Sequence, residues 1–192
     1  GDTFNITENT TLYAIYTTGT GVLKKVGPAG GWVFYDAGST ESWGRYLEVA
    51  PQSTEWTDKQ WGDYGTQVGG NAALTGIGDG QAATTAIVSH MEGESITDTA
   101  AQLCDGLEHV NEGTTYDDWF LPSKDELDAI WDNVVDNGSG SNSGVGGFTL
   151  DYYWSSSEYS SNFAWTQGFS TAAQVYNYKH YDTLHVRAIR AF

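Results

Sequence analysis

The side chains of this chain that could do covalent, acid–base or metal chemistry are four histidines, one cysteine and 25 acids. Their spacing favours none of the three. His90, His109, His180 and His185 form no metal-ligand pattern such as His-Glu-x-x-His. A single cysteine makes neither an intrachain disulfide nor a cysteine-based zinc site. Cys104 stands in "TDTAAQLCDGL", beside Leu103 and near Ala100 and Leu107, which reads as a buried helical thiol. A Ser-His-Asp set can be assembled on paper, but no G-x-S-x-G elbow supports it. Asp117 and Asp118 precede a helix start, where aspartate serves turns more often than paired-carboxylate catalysis. No enzyme and no cofactor is expected. Calcium is the one ion the acids and loop carbonyls leave open, although no EF-hand-like run occurs.

Bulk properties narrow the partners. The formal net charge is −17, with only eight Lys and Arg among 192 residues. Binding a nucleic acid needs a basic face that displaces counterions, so that class is excluded, and the same acidic field repels heparin-like glycans. No apolar run approaches the roughly 20 residues that span a bilayer, so no membrane insertion is expected. No signal peptide opens the chain, which begins in mid-pattern, as a piece of a longer protein would.

The elements that must position any functional side chain are short. Residues 1–18, "GDTFNITENTTLYAIYTT", alternate apolar and polar residues as a β-hairpin does, with Glu8-Asn9 in its turn. Residues 19–26 form a linker to a domain over 27–192. Trp32-Val33-Phe34-Tyr35 and "GRYLEVAP" read as strands. Residues 52–80 read as a long loop that Trp56 and Trp61 pin to the body. "QAATTAIVSHME" and "TDTAAQLCDGL" read as short helices. In "YDDWFLPSKDELDAIWDNVVDNG", Ser123 and Glu126 make a capping box. Leu127, Ile130, Trp131, Val134 and Val135 follow as one apolar helical stripe, closed by a left-handed cap at Asn137-Gly138. The last strands are expected at Tyr152–Ser157, around Ala164–Phe169 and at His185–Phe192. Many short strands, few helices and no β-α-β alternation give an α+β class.

Six blocks, "GPAGGWVFYD", "RYLEVAP", "YDDWFLPSKDEL", "YYWSSSEY", "AW" and "VRAIRAF", together resemble the C-terminal domain of the Legionella collagen-like protein family. The resemblance runs from about Gly27 to Phe192. It implies a C-type-lectin-like fold of the formylglycine-generating-enzyme subtype. That enzyme's activity is not implied, because it depends on a cysteine pair and only Cys104 is present. The opening hairpin resembles the end of an internalin-B-type repeat, which implies a bacterial cell-surface or extracellular setting. Domains of this type also serve as the display scaffold of diversity-generating retroelements. Those systems rewrite asparagine codons of the AAY type into NNY codons, which cannot encode Trp, Gln, Lys, Glu or Met. The framework ends of such a segment resemble Tyr153–Tyr159 and Val186–Phe192. Between Ser160 and His185 only Trp165, Gln167, Gln174 and Lys179 fall outside the NNY set. Ordinary composition would give about five, so the flanking motifs carry the resemblance.

Between those ends, "STAAQVYNYKHYDTL" obeys neither helical nor strand periodicity, yet it is rich in tyrosine. Tyr176, Tyr178 and Tyr181 offer wide amphipathic surfaces with few rotors to freeze, and small neighbours such as Ser170, Thr171 and Ala172 let them adapt. His180, Asp182 and Thr183 add polar contacts at a rim. Phe163, Thr166, Gly168, Val175 and Leu184 complete the expected ligand-binding set. The expected function is non-catalytic recognition of a protein or other macromolecule through a variable loop on a rigid scaffold. The alternative is a fixed surface adhesin binding glycans, for which only Lys179, Arg187 and Arg190 supply positive charge in this third of the chain.

Overall fold

The computed structural model describes residues 21–136, 144–181 and 183–192. The expected hairpin over 1–18, the cap at Asn137-Gly138 and Asp182 lie outside the described residues. The architecture is mixed α+β, mostly sheet with few helices. Strands β1 (Trp32–Glu41) and β2 (Gly44–Val49) form an antiparallel pair, and β10 (Ile189–Ala191) lies antiparallel against the other side of β2. A second sheet is built from β3 (Trp56–Lys59), β6 (Tyr152–Glu158), β7 (Phe163–Gly168), β8 (Gln174–Tyr178) and β9 (Leu184–Val186), in the order β3-β9-β6-β7-β8. The β6–β9 pair is parallel and the others antiparallel. β4 (His109–Asn111) and β5 (Thr114–Tyr116) form a separate hairpin.

Helix α1 spans Gly80–Gly93 and α2 spans Ala100–Asp105, as their sequences suggest. The α1 residues Ala83, Thr84, Ile87 and Met91 are buried, the one-face spacing of a helix against a core. Cys104 is buried on α2, and burial pushes its thiol pKa well up, so it stays protonated. Neighbouring residues of β6 serve opposite faces of the sheet, as strand geometry requires. Trp154 packs in the cluster that holds Ile87, Met91, Cys104 and Trp61. Tyr153 packs in the one that holds Leu127, Ile130, Trp131 and Phe169.

Helix α3 (Lys124–Ile130) starts where the sequence places it. Ser123 Oγ accepts from the Glu126 amide at 3.3 Å, and Glu126 Oε2 accepts from the Ser123 amide at 2.7 Å. All five stripe residues are buried, but the last turn differs from the expected α-helix. Trp131–Val135 is π-helical, closed by Asp136 N donating to Trp131 O at 2.8 Å. Ser123→Ala is expected to cost about 1 kcal/mol in urea unfolding, through the lost cap and the lost Ser123 Oγ donation to Gly76 O.

Glu126 is fully buried and also accepts from Gly78 N at 2.8 Å. Burial pushes its pKa up to about 7, against the backbone donors that favour its charge. A carboxyl raised in the folded state holds its proton longer than the unfolded chain does. Stability is therefore expected to fall as pH rises from about 4.5 to about 7, by on the order of 3 kcal/mol from this group. Comparing pH–stability curves of the native chain and Glu126→Gln checks it: the variant should lose that slope, and an unchanged slope would refute the assignment.

The stretch 52–80 is mostly irregular but contains β3, which the sequence reading missed. Trp61 does pin this region: it is fully buried, and its Nε1 donates to Ser155 O at 2.8 Å. The tail expected as one strand is two, β9 in the second sheet and β10 in the first. Among the described residues no helix is long and apolar enough to cross a membrane.

Candidate recognition face

"YYWSSSE" becomes β6, whose central residues are closed on both faces; the Ser156 hydroxyl has no partner among the described residues, and the other polar side chains find theirs inside the protein. Ser155 Oγ donates to Trp165 O at 2.8 Å. Ser157 Oγ donates to Leu74 O at 2.7 Å and accepts from Lys124 N at 3.0 Å. Glu158 accepts from Val68 N at 2.9 Å and Gly69 N at 2.7 Å. The motif thus fastens the loop over 66–74 and the start of α3 to one strand.

Glu158 also accepts from Lys179 Nζ at 2.6 Å, in an ion pair with both side chains essentially unexposed. Lys179 Nζ donates to Thr66 O at 2.7 Å and lies 4.6 Å from the centre of the Trp61 ring. Burial pulls the Lys179 ammonium below the ordinary lysine pKa, while Glu158 opposes the shift. The one lysine of the tyrosine-rich stretch is therefore an internal fastening, not a surface charge.

Around this fastening the stretch is ordered. The expectation of no strand periodicity is corrected for Gln174–Tyr178, which forms β8 and pairs residue for residue with β7. Periodicity was hidden because the exposed side is aromatic. Tyr176 and Tyr178 point outward, opposite Trp165 and Phe163, while Val175 and Asn177 lie on the other side, opposite Thr166 and Ala164.

The outward rings form a connected aromatic face. Tyr159 stacks on Tyr176 at 4.4 Å with planes 1° apart, and meets Trp165 edge-on at 5.3 Å. Phe163 lies 5.2 Å from Tyr176 and 4.4 Å from Tyr178. Tyr178 continues to Tyr181 at 5.2 Å and Tyr64 at 6.0 Å, and Tyr64 meets His180 at 4.4 Å. Lys124 Nζ stands 5.1 Å over the Trp165 ring. Tyr64, Tyr159, Tyr176, Tyr178 and Tyr181 are all exposed, between 36% and 50%. Rings this close, with their outer surfaces in water, offer apolar area that a ligand can cover with little loss of side-chain freedom.

The expected site residues divide accordingly. Tyr176, Tyr178, His180, Tyr181 and Thr183 are exposed, as are Ser170, Thr171 and Ala172 in the β7–β8 turn, where Ala172 has φ 58°. Phe163 and Val175 are half-buried. Thr166, Gly168 and Leu184 are buried, so a ligand on the face does not reach them. Thr166 Oγ1 instead donates to Val175 O at 3.1 Å and accepts from Asn177 Nδ2 at 2.9 Å. Tyr64 and Tyr159 were missed, since both lie outside the interval between the framework motifs. Tyr159 is legible in hindsight as the exposed residue ending "WSSSEY".

Two further charged nodes lie away from the face. Glu55 accepts from Arg187 through Nε at 3.0 Å and through Nη2, and from the Tyr153 hydroxyl at 2.9 Å, with His185 Nδ1 at 3.0 Å. Burial pushes the Tyr153 phenol pKa up, and the Glu55 charge adds to the shift. Glu48 accepts from Gly31 N at 2.7 Å and Ala29 N at 3.2 Å, and burial raises its pKa. Gly31 lies so close to the Val49 carbonyl that no Cβ fits. Arg190 binds Asp118 in two bonds of 2.8 Å, which gives that acid a structural partner. Among the described residues no group of three or more His, Cys, Asp or Glu is placed to hold a metal ion.

No protein-family model matches this chain, and no curated protein matches it either.

Proposed function

We propose that this chain is a non-catalytic binding protein: a C-type-lectin-like domain of the formylglycine-generating-enzyme subtype, with Ser160–His185 as a recognition surface for a macromolecular ligand, rewritten by a diversity-generating retroelement. The exposed aromatic face on β7 and β8 is the observation that carries this reading. The mixed α+β architecture is compatible with such a scaffold. The split between exposed and anchored positions adds support. Tyr176, Tyr178, His180, Tyr181 and the turn residues Ser170–Ala172 are exposed, and NNY codons reach every one of them. The four residues that such codons cannot encode are all at least half-buried. Lys179 is ion-paired inside, Gln174 donates to Lys124 O at 2.9 Å, Gln167 is enclosed, and Trp165 is half-buried beneath Lys124. Sequencing the parent locus tests the proposal: a neighbouring reverse transcriptase gene and a near-copy of this 3′ end are expected, and the absence of both refutes diversification. The cell-surface setting rests on the internalin-type resemblance.

A fixed adhesin for sulfated glycans would need free cations. Lys179, Arg187 and Arg190 are buried and paired with Glu158, Glu55 and Asp118. The chain is expected to pass a heparin column unretained at physiological salt, and retention that weakens with salt would revive the glycan reading.

A further inference from the structure

We propose that β8 is a docking edge for an extended, basic polypeptide strand, which pairs with its outward main chain beside the aromatic face. The inference rests on the reading of that face as the recognition surface, and it names the form of the ligand.

β8 ends the five-stranded sheet, with β7 on one side and, among the described residues, no strand on the other. Its pairing phase is fixed at both ends: Gly168 N donates to Ala173 O at 2.8 Å, and Lys179 N donates to Asn162 O at 3.0 Å. Antiparallel strands direct alternate residues' main-chain groups toward a given neighbour. Ala173, Val175, Asn177 and Lys179 therefore face β7, and Gln174, Tyr176 and Tyr178 turn their N–H groups away from the sheet. The Tyr178 carbonyl is taken by Tyr181 N at 2.9 Å. The N–H and C=O of Gln174 and Tyr176 have no main-chain partner among the described residues.

Proteins usually blunt such edges with charge, proline or a bulge. The opposite edge of the same sheet is blunted: β3 is four residues long, carries Asp58 at φ 58° and Lys59, and shifts register against β9. β8 has none of these devices. Its pairing with β7 has no register shift, it contains no proline or charge, and the adjoining Lys179 is turned inward and buried. An unpaired donor and acceptor on one edge suit another peptide backbone, the strand-addition mode of recognition. The neighbouring rings then take up that strand's side chains. A second copy of this chain carries the same net charge of −17, so like charges oppose self-pairing, whereas Lys and Arg on a partner strand are attracted by the field and the ring faces.

The full chain should be titrated with a decapeptide of alternating lysine and valine, and with the same sequence methylated at every backbone nitrogen, which keeps the charge and removes the donors. The unmethylated peptide is expected to slow hydrogen exchange at the Tyr176 amide and to bind about tenfold or more tightly than the methylated one. Tyr176→Pro, which removes the outward N–H at a position where edge strands admit proline, should weaken binding more than Tyr176→Ala, which removes only the ring. Circular dichroism would confirm that both variants fold. Equal losses in the two variants, or equal binding of the two peptides, overturn edge pairing while leaving side-chain recognition by the face intact. No effect of Tyr176→Ala, Tyr178→Ala or Tyr176→Pro overturns both readings. Concentration-dependent dimerisation abolished by Tyr176→Pro, without peptide binding, overturns the proposal in favour of a second copy.

Discussion

Lys179→Met is expected to destabilise the chain by about 3–5 kcal/mol, the usual cost of breaking a buried ion pair from one side. Methionine keeps most of the volume, so little of the loss comes from a cavity. The damage falls on Glu158, whose side chain is 1% exposed and would be left with only the Val68 and Gly69 amides as donors. Thr66 O would lose its donor as well. Adding Glu158→Gln removes the stranded carboxyl group and should restore part of the loss, so a double-mutant cycle in urea isolates the coupling between the two. A loss below about 1 kcal/mol for Lys179→Met, the range of surface pairs, would refute the buried pairing. The loop over 66–69 should open in the variant, and faster amide exchange at Val68 and Gly69 would report it.

Arg187→Met should have a comparable effect, again about 3–5 kcal/mol, for a wider set of reasons. The guanidinium is fully buried, and it donates to Ala50 O at 3.0 Å and Gly146 O at 3.2 Å in addition to Glu55. It also lies 4.6 Å over the Phe148 ring. One side chain thereby joins β9, the segment after β2, and the approach to β6. For a chain of this length the loss corresponds to a fall in Tm of roughly 10 °C. Arg187→Lys should not rescue it, because an ammonium cannot reproduce a planar fork aimed at a carboxylate and two carbonyls. Full rescue by lysine would show that charge alone is required there.

Sequence carried local geometry well and long-range pairing poorly. The Ser123–Glu126 box and the stripe from Leu127 to Val135 depend on residues within one helix, so their spacing suffices to place them. The π-helical turn over Trp131–Val135 does not show in that spacing, since the same apolar positions serve an α-helix nearly as well. Arg187 and Arg190 pair with acids that no local pattern points to: Glu55 and Glu48 lie 132 and 142 residues away. Nothing local distinguishes those two glutamates among the chain's 25 acids. β8 escaped notice because strand patterns are read from apolar–polar alternation, and a strand with aromatic rings facing water inverts that signal. Lys179 misled for the related reason that lysine is almost always outside. Tyr64 reaches the face from an irregular loop, where only the fold brings it to His180.

The fixed register of β8 has a consequence for what evolution or a protein engineer can do with this segment. Gln174 must stay opposite Gln167, and five positions later Lys179 must arrive at Glu158. Side chains on the outward side can be exchanged freely within that frame, but the number of residues cannot. Inserting or deleting one residue between Gln174 and Lys179 would turn the tyrosines inward and the lysine out, since strand faces alternate residue by residue. The turn over Phe169–Ala173 is the place where length can change without that inversion. A library of binders built on this domain should therefore hold Gln174–Lys179 at constant length, and place any added loop residues between Ser170 and Ala172.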